Sequence, residues 1–210
     1  MKCILIGGGG HGRVLIEALE RGQIHGVIDT QPDLKEVCGV PVIGGDDQLA
    51  GLVSVGYTHF IIGVGSSKSC ARRTALYEQA VHAGLKPQSV IHPTAYVAQS
   101  ASCGAGCQIL PRAVIHTSAR LAEHVLVNTA AVVEHDCSIG AHVHIATGAV
   151  VCGGVQIGAA AHIGAGAVIR QGIHIGSRAL IGAGAVVIRD VEAETVVVGV
   201  PARELEGHSL

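Results

Sequence analysis

One histidine sits between two carboxylates in the run NTAAVVEHDCSIG, where Glu134, His135 and Asp136 are consecutive. A carboxylate beside an imidazole holds its tautomer and raises its basicity, as a general base requires. A second run, GGGGHG at residues 7–12, suits phosphate. Gly7, Gly9 and Gly12 satisfy the dinucleotide fingerprint, and Asp29 follows at about the distance of a ribose-binding carboxylate. Glycines let a backbone approach a phosphate, and a helix N-terminus adds free N–H groups and a favourable dipole. His11, inside the run, is well placed to meet such a ligand. The readings open to these glycines are a nucleoside diphosphate, a whole dinucleotide, or a tight turn with no ligand.

The elements that must carry these residues differ between the two halves of the chain. From Ile91 to Val187 an aliphatic residue recurs every six positions, with Cys103 the one break, and a mostly small residue follows each by four, as Ala131 follows Val127. Period six fits neither a helical stripe nor an alternating strand; it corresponds to a short strand plus a corner, the hexapeptide β-helix. The two restricted positions of each hexad lie two apart and point inward together, while the residue between them faces out. Three hexads close one triangular coil, so residues 18 apart stack on adjacent coils. This lattice puts His135 at a corner, with Gly153 one coil above it and Gly154 above Asp136. The glycines remove side chains where something must lie against the backbone, and free N–H groups there could bind a developing oxyanion.

No histidine of the 13 falls on a core position. His124, His162 and His174 read as solvated surface residues. His142 and His144 form a His-x-His pair, and His124 stacks on His142 as His144 stacks on His162. Cys103, Cys107 and Cys137 fall on inward positions and read as small buried thiols, not as a disulfide framework.

Before the repeat, residues 2–6, 24–28 and 59–64 read as strands and residues 11–22 and 71–83 as helices. This is a small α/β domain over residues 1–88, with room for half of a dinucleotide-binding fold; residues 89–210 form the β-helix and a C-terminal tail. A formal charge of −2 and scattered basic residues leave no field for nucleic acid. The apolar stretch before Gly7 is too short for a signal peptide or a membrane span, and a cytoplasmic location is the expectation.

GGGGHG, Asp29, IIGVG at 61–65, the NT-x5-H run from Asn128, His144, Gly153 and GVPAR at 199–203 together resemble the sialic acid O-acetyltransferase and bacillosamine N-acetyltransferase family. The resemblance spans essentially the whole chain. It implies a half-Rossmann-like α/β domain followed by a left-handed parallel β-helix. The implied reaction is acetyl transfer from acetyl-CoA to a nucleotide-linked sugar, with a 4-amino group favoured over a hydroxyl. His135 would take the acceptor's proton, and Asp136 would stand where relatives carry Glu. Asn128, His144, Gly153, Ala165 and Ala183 would line the acetyl-CoA site, and Gly9, Gly10, His11, Asp29, Thr30 and Gly65 would bind the nucleotide sugar. A homotrimer with the cofactor between neighbouring subunits, and no metal, completes what the resemblance implies.

Two rivals remain at this level. A zinc lyase resembling the γ class of carbonic anhydrases would use the histidine stacks as ligands. It has no need of a phosphate-binding domain and leaves His135 beside Asp136 unexplained. A nucleotide-sugar sensor without chemistry would leave His135, Asp136 and Gly153 without a task.

Overall fold

The computed structural model describes residues 2–20, 22–66 and 69–205. Two compact units emerge: Met1–Gly65 with Arg72–Val90, and Ser66–Ala71 with Ile91–Leu210. No helix among the described residues is long and apolar enough to cross a membrane.

The first unit is built on β1 (Cys3–Ile6), β2 (Ile24–Ile28), β3 (Glu36–Val37), β4 (Val40–Gly44), β5 (His59–Ile62) and β6 (Lys86–Pro87), in the order β3-β4-β2-β1-β5-β6. All neighbours are parallel except β3 and β4. β1 is uniformly buried and wholly aliphatic apart from Cys3, as a strand covered on both faces should be. Helix α1 (Gly10–Ala18) links β1 to β2, and α2 (Ala71–His82) presents Leu76, Tyr77 and Ala80 to a core with Ile4, Ile6, Phe60 and Ile62. Because β2 and β5 flank β1 on opposite sides, Gly7, Asp29 and Gly63 all emerge at carboxyl ends around the switch point where α/β sheets bind ligands.

The apolar spacing predicts α1 over residues 11–22. The helix ends at Ala18, with Leu19 extended and its N–H on the Ile16 carbonyl; Arg21 lies outside the described residues. The short strands β3, β4 and β6 and a 3₁₀ turn at Asp46–Gly51 were not foreseen.

The second unit is a left-handed parallel β-helix of two-residue strands. Strands 18 residues apart pair in register, as in Leu126↔His144, Val132↔Val150 and Ser138↔Gln156. The predicted inward residues from Cys107 to Val191 form one continuous buried core. Larger aliphatic side chains alternate there with small ones along a narrow prism. Left-handed backbone recurs at every sixth residue from Gly106 to Gly184, turning each corner even where Arg112, Ser118 or Asp136 occupies it. Such a conformation costs a residue with a Cβ about 1–2 kcal/mol, so the ladder and core on either side must hold it.

The three outer faces differ in character. One carries Gln108, Leu126, His144 and His162, all buried; a second carries Val114, Val132, Val150, Val168 and Val186, all half-buried; the third carries Ser102, Arg120, Ser138, Gln156 and His174, all exposed. Three expectations are corrected here. His124 and His162 are buried, at 1% and 6% exposure, and Ile91 is 53% exposed. His124 is closed in beside His142, at 2.9 Å between their Nδ1 atoms, and His162 lies under Ser66, within 3.3 Å of its hydroxyl. Ile91 stands on the first rung, with a coil on one side only. All seven cysteines are free, and Cys107 and Cys137 are buried as expected, whereas Cys103 is half-buried at the edge of the core.

Candidate active site

In the first unit, a cleft of about 740 Å³ opens at the carboxyl ends of β1, β2 and β5. Gly9, Gly10, His11, Asp29, Thr30 and Gly65 all line it. The glycines divide by role. A Cβ on Gly12 would stand 2.2 Å, and one on Gly63 2.1 Å, from the Gly7 carbonyl oxygen, so these positions let α1 and the β5 turn close on the β1 loop. Gly9 and Gly10 meet nothing within 4 Å; their missing side chains leave open cleft where a ligand can touch the backbone. Gly9 caps α1 with no side-chain hydrogen bond, and the helix has no acidic residue in its first turn. Its first N–H groups and its dipole are therefore available to an anion.

Asp29 has a task that its spacing did not reveal. One carboxylate oxygen accepts the Gly8 N–H at 2.7 Å and the other accepts the Gln31 N–H at 2.9 Å, so the side chain ties the glycine loop to the end of β2. The sequence reading also missed two cations on the cleft wall, Arg13 and Arg72; Arg72 stands 4.0 Å from Asp46. Arg13 lies inside the helix that follows the glycine run, which was a usable signal. Arg72 comes from the start of α2, and nothing local in sequence tied it to the glycines.

In the second unit, His135 and Asp136 occupy one corner of the prism. Asp136 adopts φ 60°, which directs its carboxylate back to His135 Nδ1 at 2.8 Å. With Nδ1–H donating to that carboxylate, Nε2 keeps its lone pair and can take a proton. Both side chains are exposed, at 57% and 66%. Gly153 fits against the imidazole itself: a Cβ there would lie 2.6 Å from both Nε2 and Cε1 of His135. The Gly154 N–H donates to the His135 carbonyl at 2.8 Å and is thus not the free oxyanion donor expected of it, while the Gly153 N–H has no backbone partner among the described residues.

The remaining residues lie on a different corner, across the valine-lined face. Ala165 and Ala183 are exposed and lie there one coil apart, with a 2.8 Å hydrogen bond from the Gly184 N–H to the Ala165 carbonyl. Asn128 lies on the same corner and accepts the Thr129 N–H on its side-chain oxygen at 2.8 Å. His144 faces out from its strand, as expected, yet is only 4% exposed. Its Nδ1 lies 2.6 Å from Ser66 Oγ and its Nε2 lies 3.3 Å from Asn128 Nδ2. Within one chain the structure brings His135, Asp136 and Gly153 together, and separately Asn128, His144, Ala165 and Ala183, without joining the two groups. Among the described residues no three His, Cys, Asp or Glu side chains gather as a metal-ligand set.

Comparisons with known proteins bear on these sites. The profile of the PglD N-terminal domain matches residues 2–80, and that of the bacterial transferase hexapeptide (six repeats) matches residues 154–189. A search of curated proteins finds no match. Among solved structures the chain is similar to PerB from Caulobacter crescentus in complex with CoA and GDP-perosamine, with 33% identity, 98% and 97% coverage of the two chains and a TM-score of 0.90. It is similar to the acetyltransferase domain of PglB from Neisseria gonorrhoeae in complex with acetyl coenzyme A, with 36% identity, 97% and 98% coverage and a TM-score of 0.87. WeeI from Acinetobacter baumannii matches at 26% identity, 98% and 100% coverage and a TM-score of 0.83. Whole-length likeness at this identity, on both domains and with the expected motifs, shows that the chain belongs to the sialic acid O-acetyltransferase and bacillosamine N-acetyltransferase family of hexapeptide-repeat acyltransferases.

Proposed function

We propose that this protein transfers the acetyl group of acetyl-CoA to an amino group, the 4-amino group, of a nucleotide-linked deoxysugar, with His135 as general base. The observation that carries the reading is the 2.8 Å pairing of His135 Nδ1 with Asp136, on an imidazole whose Nε2 lies 2.6 Å from where a Cβ on Gly153 would stand. The acceptor nitrogen attacks the thioester carbonyl while Nε2 takes its proton. The oxygen of the tetrahedral intermediate is within the competence of one free backbone N–H, and Gly153 is the candidate. Collapse breaks the C–S bond, the proton passes to the departing CoA sulfur, and an amide remains. Asp136 stabilises the imidazolium formed midway.

The cleft of the first unit is the proposed seat of the nucleotide diphosphate, on the N–H groups of α1 with Arg13 and Arg72 as counter-charges. The perosamine N-acetyltransferase of Caulobacter, matched with GDP-perosamine and CoA, supports this class of acceptor. The pantetheine arm is assigned to the slot at Ala165 and Ala183.

The separation of the two corners supports a homotrimer. The face between them is a ladder of five half-buried valines ending in an exposed Tyr96, an apolar strip that a second copy would cover. Packing that strip in a closed ring sets the Asn128 corner of one copy against the His135 corner of the next. Mixing inactive His135→Ala with inactive Ala183→Trp subunits should then restore measurable turnover, and no recovery in mixed oligomers would refute a shared site.

The function is tested by thiol release from acetyl-CoA against a panel of nucleotide sugars carrying 4-amino or only hydroxyl groups. The reading expects release with the amino sugars alone. Release only with hydroxyl acceptors would establish the O-acetyl reaction instead.

A further inference from the structure

We propose that Ser66 is a positioning residue: its hydroxyl oxygen holds His144 as the Nδ1–H tautomer, and the Nε2 lone pair of His144 in turn fixes the Asn128 amide facing the acetyl-donor slot. The assignment to acetyl-CoA rests on the proposed function; the tautomer does not.

The chain of constraint starts at Thr129. Its backbone N–H can only donate, so the Asn128 atom 2.8 Å away is the amide oxygen and the amide nitrogen is turned toward His144. That nitrogen also can only donate. His144 Nε2, 3.3 Å from it, must therefore accept, which leaves the imidazole neutral with its proton on Nδ1. Nδ1 lies 2.6 Å from Ser66 Oγ, so the N–H donates and the serine oxygen accepts.

The opposite polarity, with the Ser66 O–H donating to His144 Nδ1, would force a proton onto Nε2 against the Asn128 NH₂ and is ruled out by the same logic. The Ser66 O–H is then left to donate elsewhere, and His162 Nδ1 stands 3.3 Å away. Burial lowers the His162 pKa to about 4, so its imidazole is neutral and, as the Nε2–H tautomer, accepts that proton on Nδ1. One hydroxyl thus sets two imidazoles.

Burial explains why such a relay is needed. His144 is 4% exposed, whereas Asn128 is partly exposed on the corner that carries Ala165 and Ala183. With its oxygen held by Thr129 and one amide hydrogen held by His144, Asn128 has one hydrogen left for a carbonyl of the acetyl donor. His144 therefore acts through Asn128. Ser66 comes from the segment Ser66–Ala71, which belongs to the β-helix unit although its flanking residues belong to the other.

The test uses the full-length protein labelled with ¹⁵N at histidine, read by side-chain NMR near neutral pH, with acetyl-CoA binding by calorimetry. In the wild type, His144 should show a protonated Nδ1 and a bare Nε2. Ser66→Ala should move His144 toward the Nε2–H form and raise the acetyl-CoA Kd about tenfold, the scale of one lost buried hydrogen bond. With saturating acetyl-CoA, kcat should stay within about threefold. Ser66→Thr, which keeps the hydroxyl, should restore both the spectrum and the affinity. A wild-type His144 protonated on Nε2, or an unchanged tautomer in Ser66→Ala, overturns the proposal whatever the variant's stability. A shifted tautomer with unchanged acetyl-CoA affinity upholds the relay and overturns the placement of Asn128 in the acetyl-donor site, so the two failures are distinguishable.

Discussion

Gly153→Ala adds a single methyl group at the point where the base and the backbone meet. Built on the present backbone, that carbon would lie 2.6 Å from His135 Nε2 and Cε1 and 3.2 Å from Cδ2. The two closest contacts fall about 1 Å inside ordinary van der Waals distance, so something must move. The imidazole is 57% exposed and free to swing outward, whereas the Gly153 carbonyl is held by the Gly172 N–H at 3.0 Å. The ring therefore gives way, and its 2.8 Å contact with Asp136 opens with it. A misplacement of about 1 Å at a reacting group costs on the order of 100-fold, so kcat should fall by about that factor. The melting temperature should stay within a few degrees, because Gly153 lies at a solvent-facing corner and not in the core. A coupled thiol-release assay at varied acetyl-CoA separates kcat from KM. Undiminished kcat would refute the steric argument. A raised acetyl-CoA KM with normal kcat would make Gly153 a groove for the thioester, not a seat for the base.

Two further perturbations address the remaining parts. Asp29→Ala removes the acceptor of the Gly8 N–H, and loss of a hydrogen bond to a charged group, about 1.5–3 kcal/mol, should weaken nucleoside-diphosphate-sugar binding at least tenfold. Acetyl-CoA affinity should be unaffected by that change, and calorimetry with each ligand checks both; a loss confined to acetyl-CoA would sink the assignment. His162 has its pKa lowered to about 4 from 6.5 by burial, so between those values the unfolded chain binds the extra proton. Its stabilising effect is therefore whole above about pH 6.5 and is lost as pH falls toward 4, on the order of 3 kcal/mol in total. Denaturant melts of wild type and His162→Gln, which copies Gln108 of the same column, should differ in slope across that range; parallel pH profiles would contradict it.

What could be read from residue order alone follows the range of the physics involved. The hexad period is a local rule repeated along the chain, so it places Val133, Ile145 and Ala167 in the core and His135 and Gly153 at a corner. That lattice gives direction relative to the coil axis but not what covers the outside. His124 and His162 are buried against that expectation because the lattice, which stacks His124 on His142, does not say that the two rings close on each other, and because Ser66, which lies over His162, belongs to no hexad. The same limit hid Arg72 from the glycine run and Ser66 from His144. Asp29 was found by its spacing, yet its bonds to Gly8 and Gln31 depend on how the β1 loop closes, which spacing does not encode. Positions 129–135 look contiguous in sequence, but the face they cross separates Asn128 from His135.

The central claim is that His135 takes the acceptor's proton, and turnover of His135→Ala measured beside its acetyl-CoA affinity tests it most directly. The account predicts, with a 4-amino nucleotide sugar as acceptor, a fall in kcat of about 10²–10⁴-fold, acetyl-CoA binding within about twofold of wild type, and an unaltered fold. Near-normal turnover in His135→Ala would contradict it.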